Sequence, residues 1–309
     1  MTYPTDGIFL INKNEGETSY DVIRKVKRAF RGSKARKFGH AGTLDPFATG
    51  LLVVLLGRGT KLSSFIMSES KVYRATLRLG IETDTLDPTG LVVRESAVPD
   101  LSTEFVRNKA QGFTGNIQQT PPIYSAVKYK GERAYKLARK GQEVVLKKRT
   151  VSIYSIRIIS VEMPDVTMEV KCSSGTYIRS LASDLGRDLG PGGHLRALTR
   201  LSCGSFDLRN ALNSNEISAE NISLLQKVLI PLNASLPDMR EITVEDSIAE
   251  DIRCGRQSVL EGLADDLDPA GCDGAHFKLI GNGELVAVVK QTKSRRDGHV
   301  RLEIARVFS

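Results

Sequence analysis

The sequence predicts a mixed α/β fold (α+β), and three patterns predict it. Strand-like and helix-like stretches follow one another without strict strand–helix–strand alternation, which argues against a doubly wound parallel sheet. Residues 72–79 and 166–172 alternate apolar and polar side chains, the period of a half-buried strand. The stretches near 20–30 and 178–189 instead repeat apolar residues at the spacing of a helix with one buried face. A chain of 309 residues, 40% hydrophobic and 26% charged, has material for one large domain or a large one plus a small one.

In chain order, Thr18 or Ser19 caps the first helix, with Val22, Ile23, Val26, Ala29 and Phe30 on one face. Gly32 and Ser33 end it. Asp45-Pro46 predicts a second helix start, with Asp as N-cap and Pro at the first helical position. Leu51 to Leu56, six residues, is the longest apolar run; it predicts a buried segment and is too short to span a membrane. In the first alternating strand Tyr73, Ala75, Leu77 and Leu79 share a face, with Arg74, Thr76 and Arg78 opposite. In the second, Val166, Met168, Val170 and Cys172 share one. Ser173-Ser174-Gly175 then turns the chain into a helix carrying Ile178, Leu181, Ala182, Leu185 and Leu189, stopped by Gly190. This order puts Tyr177 and Arg179 in a helix's first turn, beside the sheet edge. The turn-rich stretch Ile230-Pro231 to Leu236-Pro237 predicts a boundary near 240. Beyond it, Phe277–Ile280 and Leu285–Val289 flank Gly281-Asn282-Gly283, a hairpin signal, and the acidic stretch Gly262–Asp273 reads as a surface loop.

Four dispersed cysteines (Cys172, Cys203, Cys254, Cys272) form no C-x-x-C pair, and the four histidines are equally scattered. A disulfide framework and a zinc site are therefore not expected, and a reducing, cytoplasmic location is. Met1-Thr2-Tyr3-Pro4-Thr5-Asp6 carries neither the basic nor the apolar region of a secretion signal. The net charge is +8, unevenly spread: residues 241–309 hold 9 basic and 13 acidic side chains, residues 1–240 hold 35 and 23. Arg24 to Lys37 contains eight bases and no acid, and Tyr124 to Thr150 contains nine bases against Glu132 and Glu143. Two such clusters fit a polyanion, nucleic acid above all, or else two solvated faces.

The densest chemistry lies in Gly39-His40-Ala41-Gly42-Thr43-Leu44-Asp45-Pro46-Phe47-Ala48-Thr49-Gly50. Glycines permit a tight backbone there, and a carboxylate and an imidazole stand five residues apart between basic and apolar flanks. Asp45 reads either as a helix cap or as a catalytic carboxylate. The same Thr-Leu-Asp-Pro recurs at 85–88, where Asp87 reads as a turn residue.

Gly39–Gly50 resembles the catalytic motif of the TruB-type tRNA pseudouridine synthases, which make pseudouridine at position 55 of the T-loop. Lys71-Val72-Tyr73-Arg74-Ala75 is similar to the family's second motif. Gln119-Thr120-Pro121-Pro122-Ile123-Tyr124-Ser125-Ala126-Val127-Lys128, continued by Gly131 to Gly141, resembles its RNA-binding insertion. Ser174 to Leu181 and His194 to Leu201 resemble its remaining motifs, all in family order across about residues 7–210. From 241 the chain resembles a PUA RNA-binding domain. Where the family has Lys-Pro-x-Gly, this chain has Lys13-Asn14-Glu15-Gly16, a departure expected to loosen a turn.

The resemblance implies a large, mainly antiparallel mixed sheet flanked by helices in residues 1–240, a basic insertion at about 120–150, and a small barrel-like PUA domain at 241–309. It implies Asp45 as the essential carboxylate, paired with Arg179 and held ionised by it against desolvation. It places His40 in the space vacated by a flipped base, and Tyr73, Tyr177 and Leu198 around the uracil. Such an isomerisation takes no cofactor and no metal. The implied partner is the T-loop and stem of tRNA, with neither guide RNA nor an obligate protein partner. A noncatalytic RNA-binding protein and a guide-dependent relative are the alternatives; the long basic insertion favours the stand-alone type.

Overall fold

The structure is a computed structural model and describes residues 5–32, 37–125, 127–129, 131–142, 144–264, 274–293 and 299–309. The acidic stretch from residue 265 to 273, with Cys272, lies outside the described residues, as do Lys34 and Arg36 of the first basic cluster.

The chain begins with β1 (Gly7–Lys13), α1 (Ser19–Ala29), β2 (Phe38–His40), β3 (Thr49–Leu56), α2 (Ser63–Ser68) and β4 (Lys71–Leu79). A small ribbon, β5 (Ile81–Thr83) and β6 (Val92–Glu95), leads to α3 (Thr103–Gln111) and β7 (Gly115–Gln119). Next come β8 (Lys128–Tyr129), β9 (Glu132–Arg133) and α4 (Ala134–Arg139), then β10 (Arg149–Glu162), β11 (Asp165–Cys172), α5 (Ile178–Leu189) and β12 (Gly193–Cys203). Short strands β13 (Phe206–Asp207) and β14 (Leu212–Asn213) precede α6 (Ile222–Val228). The last part holds β15 (Arg240–Thr243), α7 (Asp246–Arg253), α8 (Glu261–Ala264), β16 (His276–Gly281), β17 (Glu284–Lys293) and β18 (Val300–Val307).

One ten-stranded sheet runs β14-β1-β3-β12-β4-β11-β10-β7, with β13 paired to β12 and β2 to β3. Its pairs are antiparallel except β1–β14 and β3–β12. Strand β3 is apolar throughout because both of its faces are covered. Leu52, Val54 and Leu56 lie in the core that this face of the sheet shares with α1, α3 and α5, which contribute Val22, Val26, Val106, Ala110, Leu181 and Leu185. Leu51, Val53 and Leu55 face the other way, toward Ile66 of α2 and toward Ile280, Leu285, Val288 and Phe308 of the C-terminal sheet.

The sheet strands read from alternation appear at Lys71–Leu79 and Asp165–Cys172, and the capped helix at Ser19–Ala29. Thr18 closes a capping box: its hydroxyl accepts from the Asp21 amide at 3.0 Å and its own amide donates back to the Asp21 carboxylate at 2.9 Å. Asp45-Pro46 does not start a helix. The chain makes a single turn, Ala48 N–H donating to the Asp45 carbonyl at 3.1 Å, and enters β3 at Thr49. Seven consecutive pairings of β3 with β1 outweigh the local cap signal. Nor does the C-terminal sheet close: among the described residues its order is β15-β16-β17-β18, with β15 and β18 at opposite edges and α7 packed on one face. Its hairpin turns at Asn282 and Gly283, both at positive φ, as the Asn-Gly pair predicts. No helix of the described residues is long and apolar enough to cross a membrane.

The 120–148 segment leaves the sheet after β7 and returns at β10, where Gln119 faces Arg149 on neighbouring strands. It carries its own small apolar cluster of Ala134, Leu137 and Val144.

Gly50 tests the strand junction. It sits at φ +100°, and a Cβ there would lie 2.4 Å from the Arg200 carbonyl oxygen and 2.7 Å from its amide nitrogen. Gly50→Ala is expected to cost roughly 1–3 kcal/mol through strain and overpacking, read as a lower midpoint in thermal unfolding; an unchanged midpoint would contradict this packing.

Candidate active site

The segment from β2 to β3 is fastened from three sides. From α1, the Ser19 hydroxyl accepts from the Leu44 amide at 2.9 Å and donates to the Leu44 carbonyl at 3.2 Å. From β1, the buried Lys13 ammonium donates to the carbonyls of Asn14 at 2.9 Å, Glu17 at 2.7 Å and Pro46 at 3.2 Å. The Gly16 amide adds a bond to the Pro46 carbonyl at 2.8 Å. The Lys13–Gly16 turn, which lacks a proline, is fastened by the lysine's three donors. From β12, Thr199 meets Thr49 hydroxyl to hydroxyl at 2.8 Å, and Arg200 donates to the Gly42 carbonyl at 3.0 Å and the Leu51 carbonyl at 2.7 Å.

This places Asp45 against Arg179, the second residue of α5. Arg179 Nε stands 3.0 Å from Asp45 Oδ2, and Nη2 donates to Oδ1 at 3.3 Å. The guanidinium is nearly buried and its other donors are occupied: Nη2 bonds the Tyr124 carbonyl at 3.0 Å, while Nη1 bonds the Thr85 carbonyl and Asp87 Oδ2, each at 3.1 Å. Asp87 is therefore more than the turn residue read from the sequence. It does stabilise a turn, accepting from the Thr89 amide at 3.0 Å and the Thr85 hydroxyl at 2.7 Å, but it also shares the cation of Asp45. The repeated Thr-Leu-Asp-Pro at 43–46 and 85–88 was the available signal.

Burial is the largest influence on Asp45 and pushes its pKa above the ordinary carboxylate value of 3.8. Arg179 pulls it down, Asp87 pushes it up again and Lys13 pulls it down. The expected offset by Arg179 is thus incomplete, because the cation is shared with Asp87 and burial outweighs it.

Tyr177 caps α5, half-buried, and its backbone is gripped by the side-chain amide of Gln119. The Tyr177 amide donates to Gln119 Oε1 at 2.8 Å and Gln119 Nε2 donates to the Tyr177 carbonyl at 3.0 Å. The Ser180 hydroxyl bonds the Thr120 carbonyl at 2.8 Å. Gln119, Thr120 and Tyr124, the root of the insertion, are thus strapped to the helix that carries Arg179. Tyr73 is half-buried near the start of β4, opposite Arg200 of β12 and Val170 of β11. Burial raises its hydroxyl pKa and Arg200 opposes the rise. Leu198 is buried opposite Ala75, two residues before Arg200. His40 ends β2 opposite Val54; its Nδ1 is buried with no partner, and burial, then the charge of Arg200, lowers its pKa.

The structure thus joins Asp45 directly to Arg179, and ties the His40 segment and Tyr73 together through Arg200. Asp87, Gln119, Lys13 and Arg200 were missed in the sequence. Arg200 had left a sign, since it shares strand phase with the buried Leu198.

On the outer surface, Tyr20, Arg24, Lys27, Arg28 and Arg31 are all exposed and fall in one stripe along α1. Arg24 pairs with Asp21 and lies 5.7 Å from the Tyr20 ring centre. In the insertion, Lys136 and Lys140 are exposed, with Lys140 3.4 Å from Glu132, and Lys147 to Arg149 are exposed on the return to β10.

The two carboxylates should differ in their contribution to stability. Asp87 is buried and fully bonded, so Asp87→Ala is expected to cost roughly 3–5 kcal/mol by leaving donors and a cation unmatched. Asp45 is about a third exposed, and a carboxyl with a raised folded pKa subtracts stability above that pKa rather than adding it. Asp45→Ala should therefore unfold at a higher temperature than Asp87→Ala at pH 7; the reverse order would refute this division.

Two family models match the chain in succession. That of the TruB family pseudouridylate synthase (N terminal domain) matches residues 27–178, and that of the tRNA pseudouridylate synthase B C-terminal domain matches residues 179–237. A tRNA pseudouridine synthase B of Clostridium kluyveri is 44% identical over 250 residues, covering 81% of this chain and 84% of that one. One of Syntrophotalea carbinolica is 37% identical over 305 residues, covering 98% of each. Among solved structures, a chain of a Cbf5-Nop10-Gar1 complex shares the fold, with a TM-score of 0.73 at 22% identity over 98% of this chain and 85% of that one. With the matched segments taking in Asp45, Arg179 and the strands between them, the chain belongs to the TruB family of pseudouridylate synthases.

Proposed function

We propose that the protein converts uridine 55 in the T-loop of tRNA to pseudouridine, with Asp45 as the catalytic carboxylate. The observation that carries this reading is the two-point contact between Asp45 and Arg179 on the segment 39–50. Relatives named tRNA pseudouridine synthase B supply the substrate class.

The reaction breaks the C1′–N1 bond, turns the base, and joins C5 to C1′; N1 gains a proton and C5 loses one, so composition is unchanged. Asp45 acts by attacking C1′, by adding to the base or by deprotonating the ribose, and each route needs an ionised carboxylate close to the sugar. Arg179 favours that form against burial. The target base leaves its stack at a cost of a few kcal/mol, repaid by contacts in the pocket. His40 enters the vacated space as an uncharged imidazole, its unpartnered Nδ1 free to meet RNA. Tyr73, Tyr177 and Leu198 wall the uracil and exclude water, which would otherwise turn rejoining into hydrolysis.

Residues 1–240 form the catalytic domain, and 241–309 a PUA-like domain that adds RNA contacts. The α1 stripe and the insertion bind phosphates of the T-stem and loop. The enzyme works on tRNA without a guide RNA, a cofactor or an obligate protein partner.

On unmodified tRNA transcript tritiated at uracil C5, wild type is expected to release tritium. Asp45→Ala should release none while binding the transcript as wild type does. Wild-type turnover in that variant removes Asp45 from its role, and tight binding without release by wild type favours a noncatalytic RNA-binding protein. Because Asp45 must be ionised and its pKa is raised, the single-turnover rate should fall as pH drops through a value above 3.8. Asp87→Asn removes a like charge, so this acidic limb should move to lower pH; a move upward would contradict the electrostatics.

A further inference from the structure

We propose that Arg200 is a positioning residue of the site: one buried guanidinium joins the Gly42 carbonyl and the Leu51 carbonyl, fixing the His40–Asp45 segment against the strand pair that carries Tyr73. The proposal rests on the functional reading above for its effect on turnover, but on geometry alone for its existence.

Arg200 stands where three strands meet. Its backbone pairs with Gly50 of β3 and with Tyr73 of β4. The β3–β12 ladder spans only Thr199–Thr49 and Arg200–Gly50, so the two strands part immediately beyond it. Arg200 Nε caps the Leu51 carbonyl at 2.7 Å where they part, and Nη2 reaches the Gly42 carbonyl at 3.0 Å. Gly42 sits at φ +101°, and a Cβ there would come within 3.4 Å of Nη1, so the loop is shaped around the guanidinium. A register shift in β12 between Arg200 and Ser202 marks a bulge at the same place, a feature that re-aims side chains beside sites.

The charge is the unusual part. Arg200 is 2% exposed, and among the described residues no carboxylate pairs with it. Its field falls on Lys13, His40, Lys71, Tyr73 and Cys203, and it makes the two lysines' charges harder to bury. A neutral amide could donate to two carbonyls without that penalty. Cation and fork together do what neither does alone: the fork fixes the loop, and the charge opposes an imidazolium at His40.

The test uses Arg200→Met and Arg200→Lys in the full chain, with folding followed by thermal unfolding. Arg200→Met should lower the single-turnover rate at saturating tRNA by about 100-fold, as misplaced groups do, with tRNA affinity unchanged. In the free protein its His40 should titrate at higher pH than in wild type, followed by NMR and assigned with His40→Asn. Arg200→Lys, which keeps the charge but cannot span both carbonyls, should lose rate while His40 keeps its lowered pKa. A wild-type rate in either variant overturns the proposal, as does Arg200→Met with an unmoved His40. Should Arg200→Met not fold, the lysine variant decides. The His40 titration needs no RNA, so absence of tritium release by wild type would remove the functional reading without touching this one.

Discussion

One nearly buried guanidinium is matched to two carboxylates, one buried with it and one partly open to solvent. Burying a cation of this kind costs several kcal/mol unless its partners are well placed, and around Arg179 they come from three separate stretches of chain: Asp45, Thr85 with Asp87, and Tyr124. The two acids are not equivalent. Asp87 is buried and saturated with donors from Thr85 and Thr89, so it behaves as a fixed counter-ion. Asp45 keeps a third of its side chain accessible and leans on Arg179 for its charge. Different surroundings thus divide two chemically identical groups into an anchor and a candidate reactant.

The sheet makes this arrangement possible. Strand β12 lies between β3 and β4, antiparallel to β4 along most of its length and parallel to β3 for two residues only. The segment carrying His40 and Asp45 enters β3 beside that short junction. Beyond the β2–β3 ladder, which ends at His40, the loop through Asp45 is held largely by side chains, with Ser19, Lys13 and Arg200 supplying bonds that regular pairing would otherwise provide.

Periodicity made the scaffold legible. Alternation at 72–79 and 166–172 and the helical repeat at 178–189 each mark a single buried face, which is a local property of the chain. Asp45-Pro46 misled because a cap signal is also local, whereas the seven β1–β3 pairings that override it are not. Asp45 and Arg179 could be named from motif resemblance, but their contact spans 134 positions of sequence. Asp87 escaped because turn chemistry explained it sufficiently; only the fold shows that the second oxygen of the same carboxylate faces a cation. Lys13 and Arg200 are charged residues at inward positions, and no pattern says which carbonyls they will meet.

The insertion root has a wider consequence. The segment departs from Gln119 and rejoins at Arg149, opposite one another on adjacent strands, while its first residues brace the start of α5. Its tip can lengthen, shorten or change composition over evolutionary time without shifting the register of a single strand. Selection can therefore retune the insertion and the Asp45–Arg179 site as separable modules, provided the few residues at the hinge of the two are left intact.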